Sequence, residues 1–282
     1  MIYYSFKGLI SMLFAVDIGN SNVVAVVFDG DRILVQWRIA SDVRRTGDEY
    51  TSIILTLARD AGIDVRNIEN AIISSVVPAL IGPFVIVCQH LCGKNPFVMR
   101  SSLALSGDLP VKLPENSSHE MGTDLLCNAV AAWKLFGGKA NIAVDFGTAL
   151  TLTVTDSAGI IRGLTISPGL GTAVKALATN TAQLPFVPLE APASSLGSTT
   201  KEAIQAGVVL GYKGLVEYLV ANIKEDLFKV SGDRPSDVKV VATGGLNSVL
   251  KPLTDAFTNV DKNLTIKGLK AVFDIMSGRE NK

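Results

Sequence analysis

Two aspartates in this sequence stand where a carboxylate is costly to keep without a partner, and a third opens a helical stretch. Asp17 and Asp145 close apolar, strand-like runs, Leu13-Phe14-Ala15-Val16 and Ile142-Ala143-Val144, and an ionised carboxyl in such a setting needs a compensating group. Each leads through one apolar residue to a glycine and then to amide or hydroxyl side chains. The first bend reads Asp17-Ile18-Gly19-Asn20-Ser21-Asn22 and runs on into Val23-Val24; the second reads Asp145-Phe146-Gly147-Thr148. A residue without Cβ lets backbone N–H groups approach a phosphate. A hard cation beside a triphosphate would in turn partner the carboxylates. Taken singly, each bend is an ordinary polar turn; as a pair at matching positions they favour phosphate binding.

The third aspartate, Asp124, lies in Met121-Gly122-Thr123-Asp124-Leu125 and opens a small-residue helical stretch. By position alone it is a helix-start acid favoured by the macrodipole. In a site it would accept the proton of an alcohol attacking a γ-phosphate, a role worth on the order of 10²–10⁴ in rate. A further bend, Val240-Val241-Ala242-Thr243-Gly244-Gly245, is either a tight strand-to-helix turn or a ligand-facing one. It is not a P-loop, because Gly-x4-Gly-Lys-[Ser/Thr] occurs nowhere.

The elements that must hold these residues repeat. After each Asp-x-Gly bend comes a second strand-like run, Val23–Phe28 or Leu150–Thr155, then a Gly/Asp turn and a further strand, Ile33–Trp37 or Ile160-Ile161. Helical periodicity follows over residues 47–62 and 79–92, and again over 120–136, 170–180, 199–228, 245–258 and 265–277. Strand-like runs at 71–77 and 237–243 separate them. The expected fold class is therefore α/β, a duplicated pair of mixed sheets flanked by helices. The boundary is expected near 112–118, giving a first half over 12–117 and a second over 118–282. Residues 1–11 read as an N-terminal extension, with Met12 an alternative start.

Composition narrows the function classes. Of 282 residues 48% are apolar, and Lys plus Arg balances Asp plus Glu at 26 each, so no charge excess draws the chain to nucleic acid or to a membrane surface. Cys88, Cys92 and Cys127 form no disulfide framework, and reduced thiols suit the cytoplasm. Cys88, His90 and Cys92 lack a second ligand pair and read as helix packing. His90 and His119 accompany no nucleophile signature, which argues against a hydrolase.

Read together and in order, Asp17 to Asn22, Gly122-Thr123-Asp124 with Asn128-Ala129-Val130, Asp145 to Ala149, Pro168-Gly169, Thr181 to Pro185, Gly197 to Thr200 with Gln205-Ala206-Gly207, and Thr243-Gly244-Gly245 resemble the type III pantothenate kinases. The resemblance implies an actin-like ATPase superfold, a ribonuclease H-like domain in duplicate, and a homodimer. It implies transfer of the γ-phosphoryl group of ATP to pantothenate, the first step towards coenzyme A. Carried onto this sequence, it makes Asp17, Ile18, Gly19, Asn20, Ser21, Asn22, Val23 and Val24 the ATP loop, with Thr148, Gly244 and Gly245 as further nucleotide contacts. Asp124 becomes the proton acceptor; Gly122, Thr123, Leu125 and Thr181 join it as pantothenate-binding positions. Asp145 holds a monovalent cation, potassium or ammonium, and Mg2+ accompanies the nucleotide. Leu125 stands where the family carries Arg, and Glu115 and Ser118 where it carries Tyr and Pro. Leu cannot supply the bidentate anchor of a guanidinium. That departure motivates two alternatives: a nucleotide-binding homologue with a regulatory role, or a kinase of the same fold acting on another small alcohol.

Overall fold

The structure is a computed structural model that describes residues 12–114, 121–245 and 247–278. Glu115, Ser118 and His119, and the proposed extension over 1–11, lie outside the described residues. By internal contact the chain divides into two compact units, one holding residues 12–103, 121–126 and 269–278, the other 104–114, 127–245 and 247–268. The two interleave along the sequence, where the composition suggests a single crossing.

The first unit is built on a five-stranded sheet of order β3-β2-β1-β4-β5, formed by β1 (Met12–Ile18), β2 (Asn22–Asp29), β3 (Arg32–Ala40), β4 (Ile68–Ser75) and β5 (Phe97–Val98). β1 is parallel to β4, and β4 to β5, while β2 and β3 return antiparallel. The central β1 is apolar on both faces and buried over Met12–Val16; the edge strand β3 shows the in–out alternation of a half-wetted strand. Helix α1 (Gly47–Asp60) starts from a capping box, Thr46 and Glu49 exchanging side-chain bonds with each other's backbone N–H. Helix α2 (Pro78–Cys92) starts with Pro at its first position. Phe14, Val16 and Ile18 face these helices, packing with Tyr50, Ile54, Leu80, Phe84, Val87 and Cys88. Cys88 is thus a core residue, and burial pushes its thiol far up. Strand alternation puts Asp17 on the opposite face.

The second unit repeats the topology: β10-β9-β6-β7-β8, with β6 (Asn141–Phe146), β7 (Ala149–Thr155), β8 (Ile161–Pro168), β9 (Lys239–Thr243) and β10 (Asn259–Val260). Again the first strand pairs antiparallel with the second and parallel with the fourth. β8 extends well beyond the Ile160-Ile161 pair suggested by the sequence, and its apolar Leu164 and Ile166 lie exposed on the same face as Arg162. Short α3 (Leu103–Ser106) precedes α4 (Thr123–Leu135), α5 (Leu170–Asn180) and α6 (Thr200–Gln205). The expected helix over 199–228 exists but is interrupted: Ala206–Leu210 is a π turn between α6 and α7 (Gly211–Ser231). By length and composition alone this rod could cross a membrane. Instead its Val209, Val216, Val220 and Leu227 pack on Ile142, Val144, Phe146 and Leu152 of the sheet, the behaviour of a core helix.

The expected helix over 245–258 is a correction. Only a turn, α8 (Asn247–Leu250), and a 3-10 turn, Lys251–Leu253, form there. Pro252 lacks the N–H a continuing helix needs and disfavours helical geometry before it. Last comes α9 (Leu264–Met276). On the sheet face away from α7, Ala143 and Val241 meet Ala131, Ala132 and Leu264. There α4 and α9 approach backbone to backbone, since a Cβ on Gly268 would overlap the Cys127 carbonyl.

Two glycines inside helices should therefore respond oppositely to alanine. Gly214 in α7 is exposed with open space around its missing Cβ, so Gly214→Ala should stabilise by about 0.5–1 kcal/mol through helix propensity. Gly268→Ala should destabilise by about 1–3 kcal/mol or more through overpacking. Urea denaturation followed by circular dichroism reads both.

Candidate active site

In the first unit the polar groups gather at the carboxyl ends of β1 and β4. Asp17 is the penultimate residue of β1, and its register partner on β4 is Ser74. Ser74 is wholly buried, and its hydroxyl donates to Asp17 Oδ1 at 3.1 Å. Ser74 Oγ also lies 2.9 Å from Thr123 Oγ1, which accepts the Ser75 N–H at 3.1 Å. Ser74 has a single proton; giving it to Asp17 leaves Thr123 to donate in the second bond, with the Ser75 carbonyl at 3.3 Å as the other acceptor within its reach. The first turn of α4 is thereby tied to the strand end beside Asp17. Thr123, an acceptor-binding position by resemblance, has its hydroxyl engaged inside the protein.

Asp124 follows directly. Its Oδ1 accepts the Leu125 N–H at 2.8 Å. Burial pushes its carboxyl above the ordinary 3.8, and the N–H bonds it accepts offset this only in part. A Cβ on Gly122 would overlap Asp124 Oδ1, so glycine there is a condition for the carboxyl's position. Leu125 is 8% exposed and presents only apolar surface. The Asp17 bend closes with the Gly19 N–H on the Asn22 carbonyl at 3.0 Å, while the Ile18 carbonyl takes the Val76 N–H. Ile18 and Val23 are buried, Val24 half-buried, and Asn20 and Ser21 exposed.

The second unit has an equivalent strand end. Asp145 is penultimate in β6, with the wholly buried Thr243 as its register partner on β9. Its Oδ2 accepts from Asn128 Nδ2 at 3.0 Å, and Asn128 Oδ1 accepts the Thr265 hydroxyl at 2.8 Å. An ionised carboxylate only accepts, so Asp145 turns the N–H side of the Asn128 amide towards itself, and the Thr265 hydroxyl, free to donate or accept, then donates to Asn128 Oδ1. Gly244 has φ +87°, and a Cβ there would crowd the Phe146 carbonyl and Asp145 Oδ1 at 2.6 and 2.7 Å. Only glycine satisfies both constraints. Gly245 is exposed. The bend itself closes with the Gly147 N–H on the Ala149 carbonyl, and the Thr148 carbonyl accepts the Gly169 N–H and the Thr172 hydroxyl. Thr181 is exposed at the end of α5, its hydroxyl bonded to the Leu177 carbonyl and the Leu184 N–H.

Ser74 and Thr265 escape a reading of motifs, and Asn128, though part of one, carries no assigned role there. Their only sequence mark is small polar character, Ser74-Ser75 after an apolar strand and Asn128 one turn beyond Asp124. Among the described residues no group of three His, Cys, Asp or Glu side chains gathers to chelate a metal. What each bend offers is one carboxylate among hydroxyl, amide and backbone groups. That oxygen-rich set suits a hard cation whose remaining ligands come from phosphate and water.

Two copies of one mixed sheet, each with an acid at the end of its first strand and a glycine bend after it, define the actin-like ATPase fold. A solved ROK family glucokinase from Streptomyces griseus, in complex with glucose and AMPPNP, is similar in fold, with a TM-score of 0.50 at 15% identity over 93% of this chain and 99% of that one. The family model for type III pantothenate kinase matches residues 13–222. The type III pantothenate kinase of Treponema pallidum is 42% identical over 258 residues, 90% of each chain, and that of Exiguobacterium sibiricum 36% over 263 residues, 93% of this chain and 99% of that one. The chain belongs to the type III pantothenate kinase family.

The burial of Asp124 has a thermodynamic consequence. The folded chain holds this proton more tightly than the unfolded one, so the carboxylate costs stability once the pH rises above the ordinary 3.8. Asp124→Asn should therefore melt higher than the parent at pH 7. The gain should shrink as the pH is lowered towards that value, which differential scanning calorimetry across a pH series would follow.

Proposed function

We propose that this chain transfers the γ-phosphoryl group of ATP to the primary hydroxyl of pantothenate, giving 4'-phosphopantothenate and ADP. The observation that carries the reading is Asp124. It is a largely buried carboxyl with a raised pKa, held by its glycine neighbour and the Leu125 N–H in the first turn of a helix that is itself tied to the Asp17 strand end. A carboxyl poised above its ordinary range is a stronger base near neutral pH than a solvated one. In the proposed step Asp124 takes the proton of the pantothenate hydroxyl. That oxygen forms a bond to the γ-phosphorus as the bond from γ-phosphorus to the β,γ-bridging oxygen breaks, leaving ADP. Phosphoryl transfer asks little covalent chemistry of a protein and much positioning.

In this reading residues 17–24 cradle the phosphates through backbone N–H groups, with Thr148, Gly244 and Gly245 as further nucleotide contacts. Gly122, Leu125 and Thr181 shape the acceptor pocket, and Thr123 keeps the first turn of α4 in place. Asp17 would lie beside the Mg2+ that accompanies ATP, and Asp145, its second oxygen oriented by Asn128, would hold potassium or ammonium. These cations, when bound, neutralise phosphate charge. The family membership supports a homodimer working on ATP in the cytoplasm.

A coupled assay with ATP, Mg2+ and potassium should show ADP release that depends on pantothenate. Asp124→Asn should lower kcat on the order of 10²–10⁴-fold while leaving ATP binding intact. The acid limb of kcat/KM should lie above the ordinary carboxylate range, in keeping with the raised pKa of Asp124. Full turnover in that variant would remove the assigned base, and no turnover of pantothenate by the parent would remove the reaction.

A further inference from the structure

Ser41 belongs to no motif in the sequence, yet it holds the Gly19–Ser21 bend at two points. Its hydroxyl donates to the Gly19 carbonyl at 2.6 Å, and its N–H to the Ser21 carbonyl at 3.2 Å. The described chain contains no cis peptide, and in a trans peptide the C=O and the following N–H point in opposite directions. With the Gly19 and Ser21 carbonyls turned towards Ser41, the N–H groups of Asn20 and Asn22 turn to the other side of the bend. The Gly19 N–H does not join them, since it closes the turn on the Asn22 carbonyl. Peptide N–H groups on one side of a bend are the donors that an anion needs.

Ser41 is itself braced from behind. Tyr50 is wholly buried against Phe84, their ring centroids 4.6 Å apart. Its hydroxyl accepts the Asp42 N–H at 2.9 Å and lies 3.1 Å from the Asp42 carbonyl. The Asp42 carboxylate takes the Arg44 guanidinium through both oxygens at 3.0 Å. Thr46 then opens α1 through its capping box. Residues 41–46 thus form a strap fixed at both ends, with Ser41 at the end that meets the bend.

We infer that Ser41 is a positioning residue for nucleotide binding: it orients the Gly19–Asn20 and Ser21–Asn22 peptides so that both N–H groups face the phosphates of ATP. The inference rests on reading residues 17–24 as the nucleotide loop, and Ser41 acts through that loop without touching the ligand. Isothermal titration of the full chain with ATP and Mg2+, in the absence of acceptor, tests it. Ser41→Ala should weaken ATP binding about tenfold, the scale of one well-made hydrogen bond. Ser41→Thr, which keeps the hydroxyl, should restore most of it, and KM for pantothenate should not change in either variant. Tyr50→Phe keeps the packed ring and removes only the brace, so it should shift ATP affinity in the same direction by a smaller factor. An unchanged ATP affinity in a Ser41→Ala protein that melts like the parent overturns the inference, as does an equal rise in KM for both substrates. The titration needs no turnover, so a chain that binds ATP but leaves pantothenate untouched would refute the reaction and not the role of Ser41.

Discussion

An ionised carboxyl at the end of a buried strand must be given a hydrogen-bond donor, or the strand cannot keep it there. Both sheets meet that demand, by different means. Asp17 receives the proton of Ser74, its own neighbour across the parallel ladder. Asp145 receives an amide N–H from Asn128, a residue of α4 whose Oδ1 in turn accepts the Thr265 hydroxyl. In each case the donor is itself buried, so the carboxylate is held in place. Removing either donor would leave a desolvated charge, a penalty of roughly 1–3 kcal/mol or more. It would also blur the position of the carboxylate that each bend contributes to its oxygen-rich set.

The small residues around these acids follow from the same demand. Gly122 leaves room for the Asp124 carboxyl, and Gly244 leaves room for that of Asp145 while taking a backbone angle other residues avoid. Neither glycine is there for mobility. The hydrogen bonds that close and brace both bends make the same point: these are held loops whose geometry is set before any ligand arrives, which is where electrostatic stabilisation of a transferring phosphoryl group gains most.

The repeated bends, the strands flanking them and the acid at the head of α4 can all be read from residue order. They depend on local pattern: apolar runs, a glycine after an acid, a helix-start carboxyl. The groups that complete the site cannot be read that way. Ser74 reaches Asp17 across 57 positions and Thr265 reaches Asn128 across 137, and a lone serine or threonine announces nothing about a partner so distant. Ser41 is hidden for a different reason: its contribution is the direction of two peptide planes, a property of backbone register that side-chain patterns do not encode. Helical periodicity likewise cannot distinguish a rod from a turn that Pro252 cuts short, which is why the segment after Gly245 reads longer than it is.

The π turn at Ala206–Leu210 carries a consequence of another kind. Residues before and within it, Ile204 and Val208, belong to a small cluster with Val174 and Val187, whereas Val209, Val216, Val220 and Leu227 face the sheet. A uniform α-helix advances about 100° per residue, so one extra residue in a wide turn rotates everything downstream by that much. The turn is thus a phase adjuster that allows a single rod to serve two hydrophobic partners whose directions are out of step. The number of residues between α5's cluster and the sheet is therefore a quantised dimension of this protein, tolerant of substitution yet intolerant of a change in count.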